Sequence, residues 1–116
     1  MRNIAIDCND LPIMITFWAD LLEYRLLRQD QESALIAPSS SARPRIFLQR
    51  VPERPSEKNR LHIDLDVGAA DLEGAVDLAV SLEARRVESF LEDGYGWWVL
   101  ADPEGNVFCL ARMRED

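Results

Sequence analysis

From Lys58 to Asp66 apolar and polar residues alternate with period two, the pattern of a half-buried strand. Leu61, Ile63 and Leu65 fall on one face; Arg60, His62, Asp64 and Asp66 fall on the other. The only histidine in the chain therefore sits on a polar face beside two carboxylates. Similar alternation marks Arg2–Cys8, Arg45–Val51 and Asn106–Arg112 as strands. Met14, Trp18 and Leu21, flanked by Leu11, Phe17 and Leu22, recur at helical spacing after Asp10, a good N-cap, and end near Glu23 or Tyr24. Asp71 is a second cap, and Leu72, Ala75, Leu78, Ala79 and Leu82 predict the buried stripe of a second helix. Arg25–Gln31, Ser33–Ala37, Arg85–Phe90 and Trp97–Ala101 complete the strands. Gly94 and Gly96 predict a flexible loop around Tyr95, and Asp102-Pro103-Glu104-Gly105 a type I turn.

The resulting order is strand, helix, three strands, twice over. Asn9-Asp10-Leu11 is echoed by Ala70-Asp71-Leu72. Between the halves, residues 52–59 hold no apolar side chain except proline and read as a linker. The expectation is one α+β domain of two βαβββ modules, residues 1–51 and 60–112, forming an eight-stranded, partly open barrel-like cup with helices outside.

Charge changes this picture. Residues 1–60 carry nine Lys/Arg against eight Asp/Glu, whereas residues 61–116 carry four against thirteen. Such a surface repels phosphate backbones, which argues against nucleic acid and favours a cationic small molecule or solubility alone. No apolar run approaches the roughly 20 residues that span a bilayer, and no leader pattern follows Met1, so a cytoplasmic location is expected. Cys8 and Cys109 fit buried thiols in a reducing compartment. Trp97 and Trp98, adjacent on a strand, must face opposite ways; one packs under the helix layer and the other lines the cup, where an indole is a platform for a flat or cationic ligand. Phe47, on the same face as Gln49, is a second aromatic wall.

Phe47-Leu48-Gln49-Arg50-Val51-Pro52, Lys58 to Leu65, and Asp102-Pro103-Glu104-Gly105-Asn106 to Leu110, in this order over two βαβββ units, resemble the vicinal oxygen chelate superfamily, most of all its glyoxalase-like domains. That superfamily includes glyoxalase I, extradiol dioxygenases, fosfomycin-resistance enzymes and bleomycin-resistance proteins. The resemblance implies a divalent metal position in the cup, normally held by His and Glu. By motif position it falls on Asn3, Gln49, His62 and Cys109. Only His62 is a typical ligand. Neutral amides and one thiol are poor substitutes for carboxylate and imidazole, so no tightly held metal is expected, although Asp64 and Asp7 could add carboxylates. No phosphate-binding glycine loop, nucleophile elbow or Cys-x-x-Cys occurs.

Three readings follow. The first is a metal-free small-molecule binder, as in the bleomycin-resistance group, with His62, Gln49, Asn3, Phe47, Asp64, Trp97, Trp98 and Cys109 as candidate ligand contacts. The second is a lyase or isomerase of the glyoxalase type with an atypical metal set. The third is an interaction module that kept the fold and lost the site. The resemblance also implies a homodimer.

Overall fold

The computed structural model describes residues 1–40, 44–54, 59, 61–68 and 71–114. Eight strands and two helices follow the expected order: β1 (Asn3–Cys8), α1 (Leu11–Leu22), β2 (Arg25–Gln29), β3 (Ser33–Ala37), β4 (Arg45–Arg50), β5 (Ile63–Asp66), α2 (Leu72–Ser81), β6 (Arg85–Glu92), β7 (Tyr95–Ala101) and β8 (Val107–Arg112). They form two compact units, Met1–Pro55 and Ser56–Asp116, each with one helix and one four-stranded sheet. The fold is thus α+β, built from two βαβββ modules.

In the first unit the strand order is β1-β4-β3-β2. The first and last strands pair in parallel, Ile4 with Ile46 and Ile6 with Leu48. The other pairings are antiparallel. Asp10 caps α1 by accepting from the Ile13 N–H at 3.2 Å. The helix stops where Glu23 turns left-handed (φ 55°), and the Tyr24 N–H closes back on the Ala19 carbonyl. Leu11, Met14, Ile15, Phe17 and Trp18 are buried, and α1 packs against β3 and β4. Ile4, Ile6, Ile46, Leu48, Ala34 and Ile36 share one register face, and Asn3, Ala5, Asp7, Phe47 and Gln49 the other.

The second unit repeats this as β5-β8-β7-β6, with β5 parallel to β8. Three expectations are corrected. The strand expected within Lys58–Asp66 begins only at Ile63, and Leu61 is exposed instead of sharing the apolar face. The cause is Asn59. Its side-chain oxygen accepts from the Val107 N–H at 2.8 Å and its amide nitrogen donates to the Val107 carbonyl and to the Leu61 carbonyl, so a side chain occupies the place on β8 that backbone would take. The stripe of α2 is Leu72, Val76 and Ala79; Leu78 is exposed, because the helix is short and offers β8 a face centred on Val76. The loop around Tyr95 is a tight hairpin whose two turn residues, Asp93 (φ 55°) and Gly94 (φ 79°), take the left-handed values that match the twist of β6 and β7.

Candidate functional site

Which way each side chain points in the second sheet follows from its register. Trp98 pairs with Leu110, and its indole N–H donates to Glu73 of α2 at 3.0 Å, so Trp98, Leu110 and Leu65 face the helix. The Arg86 guanidinium lies over the Trp98 ring and pairs with Asp77 of α2, closing that side. Trp97 therefore points to the opposite, helix-free face. There it stacks on Phe90, ring centroids 5.2 Å apart.

Two rows of the helix-free face can be read across all four strands. Asp64, Cys109, Val99 and Glu88 form one; Asp66, Ala111, Trp97 and Phe90 form the next. In the middle strands Cys109, Val99 and Ala111 are small, and Trp97 is the one large side chain of these two rows there. Carboxylates border them on β5 and β6, and Asp64, Asp66 and Glu88 are exposed. Cys109 is buried directly across from Asp64, and Cys8 is buried as well. His62 is exposed one residue before β5, and no hydrogen bond joins it to Asp64 among the described residues.

The first unit separates its candidates. Gln49 lies opposite Asp7, whereas Asn3 lies opposite Arg45. Four residues along a strand is about 13 Å, so Asn3 and Gln49 do not converge. Phe47 lies between them, half-buried, opposite Ala5. A cavity of about 670 Å3 lies elsewhere in this unit, where Asn9 to Pro12 meet Gln29 to Gln31 and Arg50. Its floor is structural: the Asn9 amide donates to the Val51 and Glu53 carbonyls, each at 2.9 Å. Asp30 accepts from the Glu32 and Ser33 N–H groups, which hold its carboxyl below the usual aspartate range.

The Asp-Pro-Glu-Gly-Asn motif is also accounted for by structure. Asp102 is buried; one carboxylate oxygen accepts from the Glu104 and Asn106 N–H groups, the other from the Asn106 side-chain amide at 2.8 Å. The motif shapes the turn into β8 and supplies no free group to a ligand.

A family model described as glyoxalase-like domain matches residues 3–111. The chain belongs to the glyoxalase-like domain family. Solved structures with the same fold lie in the glyoxalase/bleomycin resistance/dioxygenase group. A family enzyme from Burkholderia phytofirmans PsJN is 18% identical, with 97% of each chain covered and a TM-score of 0.79. FosX, the fosfomycin resistance protein from Listeria monocytogenes, is 10% identical over 98% of this chain and 90% of that one, with a TM-score of 0.80; it was solved with Mn(II) and 1S,2S-dihydroxypropylphosphonic acid. TioX from Micromonospora sp. ML1 is 15% identical over 97% of this chain and 98% of that one, with a TM-score of 0.65. No curated protein matches the sequence.

FosX, solved with Mn(II), raises the question of a metal, and the donor chemistry of this glyoxalase-like domain answers poorly. Asn3 and Gln49 offer neutral oxygens from separate places, and Cys109 is a buried thiol. Among the described residues no three His, Cys, Asp or Glu side chains gather closely enough to hold a metal ion. The residues present do not fit a hard, open divalent site. The residues that sequence reasoning missed are Phe90 and Glu88. The strand from Arg85 was expected, but only its register against β7 reveals that Phe90 meets Trp97 and that Glu88 shares their side.

Proposed function

We propose that this glyoxalase-like domain binds a small organic cation on the helix-free face of its second sheet, without a tightly held metal, and that it acts as a homodimer in the cytoplasm. The observation that carries the reading is the row structure of that face, with Cys109, Val99, Ala111 and the indole of Trp97 in the middle strands and exposed carboxylates of Asp64, Asp66 and Glu88 on the border strands. Two buried cysteines outside any disulfide fit a reducing compartment. Among the described residues no helix is long and apolar enough to cross a membrane. Edge strands β2 and β6 are exposed along their whole length, the kind of edge that association covers. The acidic border is opposite in sign to what a phosphonic acid ligand requires.

Calorimetric titration with matched organic cations and anions tests the proposal. Cations should bind and anions of the same size should not, and Asp64→Asn with Asp66→Asn should weaken cation binding. Tighter binding of the anions would overturn the reading. Light scattering on the purified protein tests the dimer. The second reading, a glyoxalase-type lyase or isomerase, is favoured by the exposure of His62 at the family's motif position. Stoichiometric metal in protein purified without chelator, lost in His62→Ala, would establish it over the first.

A further inference from the structure

The helix-free face of the second sheet ends in a pocket that none of the family-motif positions lines. Four large apolar side chains left substantially exposed, Phe90 (47%), Leu91 (43%), Trp97 (36%) and Met113 (58%), gather around one cavity of about 540 Å3. Single exposed apolar residues are ordinary; four around one cavity call for an explanation. The volume lies in the range of small-molecule pockets. It sits about 13 Å along the strands from the level of His62.

The lining dictates the ligand. Phe90 and Trp97 are stacked with 29° between their planes, an extended π surface on which a further flat ring can lie. Glu92 lines the same cavity and makes no ion pair among the described residues. Glu88, two residues before Phe90, shares the side of β6 on which Phe90 meets Trp97. The lining cation, Arg114, is occupied: its guanidinium pairs with Asp93 at 3.4 Å and lies 4.3 Å from the centre of the Tyr95 ring, against which Arg112 also rests at 4.7 Å. Gly96 fixes the approach of the two strands, because a Cβ there would sit 1.9 Å from the Phe90 carbonyl oxygen.

We propose that this pocket binds a planar aromatic cation, its ring laid on the Phe90–Trp97 pair and its positive charge directed to Glu92. The assignment rests on the small-molecule reading above and specifies its ligand class.

The test is calorimetric titration of the full chain with four probes: N-methylquinolinium, neutral quinoline at pH 7.5, naphthoate, and tetramethylammonium as a cation without a ring. N-methylquinolinium should bind tightest and shift the Trp97 indole N–H resonance. Trp97→Ala and Phe90→Ala should each weaken it roughly tenfold, the size of a cation–π contact. Trp97→Met, which keeps apolar bulk without the ring, should weaken it as well and guards against misfolding of the alanine variant. Glu92→Gln should narrow the preference over quinoline, and Leu78→Ala, on the exposed side of α2, should change nothing. Naphthoate binding more tightly than N-methylquinolinium, or a folded Trp97→Met protein with full affinity, would sink the proposal. Tetramethylammonium binding as tightly as N-methylquinolinium, unaffected by Trp97→Met, would overturn the aromatic assignment and leave the small-cation reading standing. Failure of every probe to bind would overturn both.

Discussion

Asp102 and Asn59 each make three of the side-chain hydrogen bonds described above, and of the two Asp102 is the buried one. It receives two backbone N–H groups and one amide. Asp102→Ala would strand those donors, at a cost of about 2–3 kcal/mol that urea denaturation should register. Asp102→Asn should cost less, since one carbonyl oxygen still accepts. At Asp30 the prediction concerns pH. The Glu32 N–H, then that of Ser33, bond to the ionised carboxylate and lower its pKa in the folded chain. The stabilisation is therefore present above the unfolded aspartate pKa and is lost as pH falls through the lower, folded value. Thermal melts should show Asp30→Asn converging with the parent protein in acid and falling below it near neutrality. The Asp-Pro-Glu-Gly-Asn turn was legible in the sequence because proline and glycine carry local conformational preferences. The bonds within it were not, because they depend on where a buried carboxylate comes to rest.

At the scale of elements, the β6–β7 hairpin shows where periodicity stops informing. Two glycines close together read as looseness around Tyr95. In the structure they do opposite jobs: Gly94 completes a tight turn and Gly96 admits a close backbone approach at φ 126°. Gly96→Ala should destabilise the second unit by about 1–3 kcal/mol from backbone conformation alone, measured by chemical denaturation. Gly94→Ala should be milder, because only the tip of Arg112 lies nearby. The strand order and both helix starts were readable, since alternation and N-caps are local. The late start of β5 was not. Arg60 and Leu61 continue the alternation perfectly, yet the Asn59 side chain competes for Val107 and leaves His62 ahead of the strand. Asn59→Ala should therefore loosen His62, visible as faster amide exchange at Ile63.

At the scale of the molecule, the charge contrast between the two halves has a structural counterpart in the carboxylates that border the helix-free face of the second sheet. Net charge favoured a cationic partner or solubility alone, and named no place on the molecule. The proposed place could be named only once register separated Trp97 from Trp98. A chelator should leave the melting temperature unchanged, and a ligand held at a hundred times its Kd should stabilise the protein by about 2.7 kcal/mol. The parallel closure of each module also sets a timetable for synthesis. β5 has one neighbour, β8, and Ile63 must wait for Phe108 before it gains a partner. The first unit has all its strands once Arg50 has left the ribosome; the second has none of its β5 pairing until the residues from Val107 onward follow. Long-range parallel closure of this kind forms slowly. A nascent chain stalled before Val107 should thus pair a finished first module with a second that proteases still cut near His62.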